Sequence, residues 1–211
     1  MGAKALLCTT LATSAIVGFA GTASAEGGYD DHYDHRGGTF YLGAAFNYGI
    51  WTGPDSFKQL DGDVNPFGAA IGVTAGVTLP PGVYLGADFN YYWGESRTIS
   101  GVNAAVSAHA NIYDVLGDVG YDFWIHRTGV LRPKIGLGIG VARGTFCGSV
   151  LYSAGACATD SHTGFTIAPG VEYLHYFGPA YLSLEAKYEE VMLDGPNPSA
   201  VVLGIGLGAA L

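Results

Sequence analysis

Along most of this chain, apolar residues return at every second position. In 40–50, Phe40, Leu42, Ala44, Phe46, Tyr48 and Ile50 alternate with Tyr41, Gly43, Ala45, Asn47 and Gly49. The pattern recurs in 67–79, 83–93, 113–125, 131–143, 163–175, 181–190 and 201–211. In the fourth of these, Tyr113, Val115, Val119, Tyr121 and Phe123 share one face, with Asp114, Asp118 and Asp122 on the other. A helical stripe would recur every three or four residues, so a period of two predicts strands. Eight strands result, each close to the ~9–11 residues a tilted strand needs to cross a bilayer.

The connections predict how the strands are joined. Pro80-Pro81-Gly82, His126-Arg127-Thr128-Gly129 and Phe177-Gly178-Pro179-Ala180 are tight turns. They alternate with longer polar or Gly/Pro-containing stretches at 51–66, 94–110, 147–162 and 191–200, read here as loops. Such alternation is the habit of transmembrane barrels, with short periplasmic turns and long external loops. Aromatic residues cluster toward the strand ends: Tyr48, Trp51, Phe67, Tyr91, Trp93, Tyr113, Phe146, Phe165 and Tyr188 externally; Phe40, Tyr121, Phe123, Tyr173 and Tyr181 on the periplasmic side. Two girdles around an aliphatic belt match the interfacial preference of Tyr and Trp.

Composition agrees. Of 211 residues, 34 are Gly, 14 Tyr and 10 Phe, and only 13% are charged, against about 25% in a soluble domain. Beyond the N-terminus no run of 18 apolar residues occurs, which leaves a closed barrel as the way to span lipid with every backbone group paired. The N-terminus itself reads as an export signal: Lys4, an apolar run from Ala5 to about Ala20, then the small-x-small Ala23-Ser24-Ala25. Residues 1–25 are therefore expected to be cleaved, leaving Glu26 first, a polar periplasmic leader over 26–38 and an eight-stranded all-β antiparallel up-and-down barrel over 39–211. Cys8 lies inside the apolar run, far from the cleavage site, and is not a lipoprotein cysteine.

The inward face carries the charge. Asp88, Asp114, Asp118, Asp122, Glu172, Glu185 and Glu189 share it with Arg132, Lys134 and Lys187. Strands four and five are hairpin partners, so Asp118 and Asp122 should meet Arg132 and Lys134 in a lumenal ion-pair network. An eight-stranded barrel encloses about enough space for side chains to fill it; the alternative is a conducting path whose charges select ions. Many inward glycines favour a wet interior. Export leads to an oxidising compartment, so Cys147 and Cys157 are expected to form a disulfide.

Other chemistry is thin. Asp30-Asp31-His32-Tyr33-Asp34-His35 holds metal-ligating types but no ligand geometry, and a solvated leader is expected, with no metal or cofactor. Asp55, Asp61 and Asp63 stand in a loop that reads as solvated. Asp160-Ser161-His162 has triad residue types, but sequence neighbours rarely adopt triad geometry, and His175 and Glu190 lack a serine partner. No catalytic site is expected. Loss of Lys4 leaves eight basic residues against 18 acidic ones, a net charge of −10, which argues against nucleic acid as a partner.

In strand alternation, loop alternation, girdles and an alternating terminal strand Ala200–Leu211, the chain resembles the small outer-membrane barrels of the OmpA transmembrane-domain and OmpX type. The resemblance is one of architecture over 39–211. Where that family usually ends in an aromatic residue, this chain ends in Leu211. The chain stops with its eighth strand, so no peptidoglycan-binding domain is expected to follow. The resemblance implies a monomeric protein of the bacterial outer membrane, in contact with its lipid and lipopolysaccharide, with a structural, adhesive or surface-interaction role through its external loops. The alternative is a narrow pore for small solutes or ions. A soluble secreted barrel would need a polar outward face, and here that face is apolar.

Overall fold

The computed structural model describes residues 38–53, 65–100, 104–150, 153–195 and 197–211. The expected signal peptide, the Asp/His-rich leader and the three aspartates of the first long connection lie outside them. The chain forms β1 (Thr39–Trp51), β2 (Ala69–Leu79), β3 (Val83–Ser100), β4 (Ala104–Tyr121), β5 (Phe123–His126), β6 (Gly129–Val150), β7 (Ser153–Phe177), β8 (Ala180–Met192) and β9 (Ser199–Ala210). β4 and β5 are one strand interrupted at Asp122, and both pair with β6. All neighbours are antiparallel, and β1–β9 pairing closes the sheet into an eight-stranded up-and-down barrel, as the alternation predicts. Closure leaves no unpaired edge within the hydrocarbon region.

Parity along each strand divides the side chains. Val73, Val115, Val119, Leu137, Ile139, Leu203 and Ile205 point outward and are about half exposed. Their sequence neighbours fill the interior. An apolar outward face with no polar residue at mid-belt is a surface built for hydrocarbon.

The structure departs from the sequence reading in several places, among them Trp51, which packs against the buried cluster around Phe67 instead of joining the external girdle. Residues 94–110 and 147–162 are largely strand: β3 and β4 extend as a hairpin, as do β6 and β7. Above a membrane both faces of a ribbon meet water, so the apolar/polar alternation that marks a strand fades there. Phe67 does not join the external girdle but is fully buried; Gly68 adopts a positive φ of 39°, a conformation glycine takes readily, and the chain ahead of β2 swings Phe67 over the barrel mouth. Tyr181 is also inside rather than in the periplasmic girdle, since it shares parity with Ser183 and Lys187. Phe146 lies on the same side of β6 as Gly144 and the lumenal Arg132, not on the lipid-facing side.

Candidate functional site

Two regions carry chemistry: the barrel interior and the sheet that rises above it. Inside, the side chains form layers. Toward the tight turns, Tyr41, Tyr84, Val130, Leu174, Tyr181 and Ala210 make a buried apolar layer. Arg132 lies against it, its guanidinium 4.6 Å from the Tyr41 ring centre and 3.8 Å from that of Tyr84. The same group donates to Asp122 from Nε and Nη2, at 2.5 and 3.0 Å, and to Glu172 from Nη1 at 3.2 Å. Asp122 also accepts from the Thr78 hydroxyl at 2.6 Å. Two parallel N–H bonds to one carboxylate, with stacking on aromatic rings, suit a planar guanidinium and would not suit an ammonium. A recess of about 420 Å³ at this end, lined by Thr39, Tyr41, Pro80 and Trp124 among others, reaches in as far as Asp122.

At mid-height, Lys134 is the hub. Its Nζ lies 3.0 Å from Asp88, 3.3 Å from Asp118 and 3.0 Å from Glu185. Thr74 donates to Asp88 at 2.6 Å. Above it, Lys187 approaches Glu189 at 3.2 Å, Tyr92 donates to Glu189 at 2.7 Å, and Asn47, Asn90 and Asp114 form a chain with links of 3.1 and 2.9 Å. A second apolar layer of Phe67, Ala70, Tyr92, Ile112, Val191, Ala200 and Val202 then closes the external end. The ten charged residues assigned to the inward face from parity all point inward. The structure pairs Arg132 with Asp122 and Glu172, and Lys134 with Asp88, Asp118 and Glu185; Asp114 instead meets Asn90.

The sequence reading missed the tyrosines and the two apolar layers. It took the inward glycines as room for water, yet neighbouring side chains occupy that space. A methyl group added at Gly76 or Gly86 would strike the Tyr84 ring, and one at Gly43 or Gly208 the Tyr181 ring. Large inward residues beside glycines on the facing strands are the signal that would have revealed this.

Outside the barrel, β3, β4, β6 and β7 continue where the other strands stop. β2 begins at Ala69 opposite Trp93, and β8 ends at Met192 opposite Phe165. β4 and β6 stay paired out to Ala104 and Val150, and β6 and β7 to Val150 and Ser153. From Tyr113 to Ala104, at about 3.3 Å per residue, the sheet gains roughly 30 Å along the strand, or roughly 23 Å above the girdle at a tilt of about 40°. Cys147 and Cys157 sit directly opposite each other near the top and are joined by a disulfide. Thr145 and Thr159 share a hydrogen bond of 3.2 Å below them. His162 meets Asp160 at 3.0 Å, and the backbone N–H of Ser161 donates to the same carboxylate at 2.9 Å. Among the described residues no three His, Cys, Asp or Glu side chains are grouped to hold a metal ion.

The sequence profile of the outer membrane protein β-barrel domain matches residues 11–209. The chain belongs to that family. Membership assigns the barrel to the bacterial outer membrane. Among solved structures, Ail, the attachment invasion locus protein of Yersinia pestis, is similar at 16% identity and a TM-score of 0.50, over 83% of this chain and 99% of that one. Neisserial surface protein A is similar at 15% identity and a TM-score of 0.50, over 81% and 96%. A major outer membrane protein of Thermus thermophilus reaches a TM-score of 0.56 at 9% identity, over 82% and 99%. At such identities the likeness concerns the fold of this outer-membrane barrel. No curated protein matches the chain.

Proposed function

We propose that this outer-membrane barrel is a surface-interaction protein. Its projecting β3–β4–β6–β7 sheet meets a partner surface, and its interior serves as a structural plug. The observation that carries this reading is the unequal height of the barrel wall, with four adjacent strands rising together and Cys147–Cys157 joining β6 to β7. A rigid paired sheet presents fixed contacts at a smaller ordering cost than a loop would. The reading includes export by a signal peptide over 1–25, an orientation with the tight turns in the periplasm, a monomeric barrel and no catalysis.

The test shortens both hairpins to tight turns just above Trp93 and Phe165. The shortened protein should still fold, as heat-modifiable gel migration reports, while cells displaying it should lose adhesion or aggregation that the full barrel confers. Unchanged adhesion would overturn the reading.

One observation favours a second reading, a narrow cation-selective pore. Among the described residues seven inward carboxylates outnumber three inward cations, and Asp114 Oδ2 and Glu189 Oε1 have no protein donor. Single-channel recording separates the two, because steady unitary conductance is incompatible with a plug closed by two apolar layers.

A further inference from the structure

The periplasmic rim holds an outward cluster of polar donors. At the end of β5 a register shift between Trp124 and His126 breaks the strict alternation. The bulge turns His126 to the lipid-facing side, where Tyr173 and His175 stand on β7. His126 Nε2 lies 3.1 Å from the Tyr173 hydroxyl, which lies 3.2 Å from His175 Nδ1. The Thr128 backbone N–H donates to His126 Nδ1 at 3.3 Å. That fixes the direction of the relay. Nδ1 of His126 accepts, so its Nε2–H donates to Tyr173, Tyr173 donates to His175 Nδ1, and the Nε2–H of His175 remains for an outside acceptor. Beside it, Arg127 is exposed on the turn and makes no ion pair among the described residues. No described Asp or Glu side chain shares this outward rim. Phe123 and Phe177, 51% and 61% exposed, flank it, with the Phe177 ring 4.7 Å from that of His175.

We propose that His126, Arg127, Tyr173 and His175 form a binding site for the phosphate of an anionic phospholipid headgroup. Three arguments select that occupant. The patch is continuous with the lipid-facing belt, so headgroups of the adjoining leaflet are its neighbours. Its free groups are donors and one fixed cation, complementary to a phosphodiester. The flanking phenylalanines suit the acyl–glycerol boundary just above a headgroup. Metal ligation fits poorly, because the bond from Thr128 occupies Nδ1 and holds the proton on the nitrogen that His126 would offer. The site faces the opposite leaflet from the projecting sheet and is independent of its role.

The experiment is native mass spectrometry of the refolded barrel in detergent with equimolar phosphatidylglycerol and phosphate-free diacylglycerol of matched chains. The wild type should retain phosphatidylglycerol over diacylglycerol by about fivefold, the scale of two charge-assisted contacts at a wet interface. Arg127→Gln alone should reduce that ratio, and Arg127→Gln with His175→Gln should bring it close to one. Arg143→Gln, which removes an exposed charge at the other end of the barrel, should leave it unchanged. Heat-modifiable migration checks that each variant is folded, and Arg127, exposed on its turn, tests the site with little risk to the barrel. A wild type without preference, or a preference that survives both substitutions, would overturn the proposal.

Discussion

Replacing Lys134 with Met measures how dry the lumen is. The ammonium stands within 3.3 Å of Asp88, Asp118 and Glu185, and its side chain is 4% exposed. If the interior excludes water, the substitution leaves three carboxylates clustered without the ammonium that they share, and removal of one partner from a buried ion pair costs about 3–5 kcal/mol. If water fills the lumen, the same contacts count as solvent-exposed pairs, worth about 0–1 kcal/mol. The two cases lie far enough apart to be told apart by equilibrium urea unfolding in detergent micelles or vesicles, followed by tryptophan fluorescence and gel migration. We expect the larger loss. Combining Lys134→Met with Asp118→Asn and Glu185→Gln removes two of the stranded charges and should recover most of the stability, because a buried ionic cluster replaced as a whole is often close to neutral. A loss below about 1 kcal/mol in the single variant would refute the sealed lumen and support conduction instead.

Three further outcomes are expected. Leu137, outward and 45% exposed, should tolerate no arginine, at a cost of about 2–4 kcal/mol near the midplane; Gly138→Ala should also impair folding, because its methyl group would meet the Val115 carbonyl, and normal heat-modifiable migration of both variants would contradict the assigned parity. Thiol reagents should leave Cys147 and Cys157 unlabelled in denatured, unreduced protein and label both after reduction, with equal labelling in the two conditions ruling out the cross-link. N-terminal sequencing of protein from the outer-membrane fraction should begin at Glu26, and recovery of Met1 would exclude cleavage after Ala25.

The barrel was legible in the sequence because lipid constrains one face of every strand. An outward charge at mid-belt is costly, so Val115, Leu137, Ile139 and Ile205 had to be apolar, and a one-residue slip would have exchanged the faces. Parity then assigned the inward residues by default, and hairpin order brought Asp122 close to Arg132. What parity could not supply is which inward groups meet across the lumen. Asp88 on β3 and Glu185 on β8 come to Lys134 on β6 only because the barrel is closed and narrow, and no local spacing in the sequence records that approach. The inward glycines were misread for the same reason. Gly76 and Gly86 look like vacant positions one strand at a time, and only the closed fold brings the Tyr84 ring over them. The height of the wall was lost for a different one. Above the girdle both faces of the ribbon are wet, and the alternation weakens: most apolar positions of Ala104–Ala110 are alanine, and Gly148 interrupts those of Thr145–Val150. Backbone pairing across β4, β6 and β7 holds the strand there, together with the disulfide. Membrane burial writes a strong pattern into sequence, while pairing between main chains in water writes almost none. The segment assigned here to surface recognition is therefore the one whose structure was hardest to read from its residues.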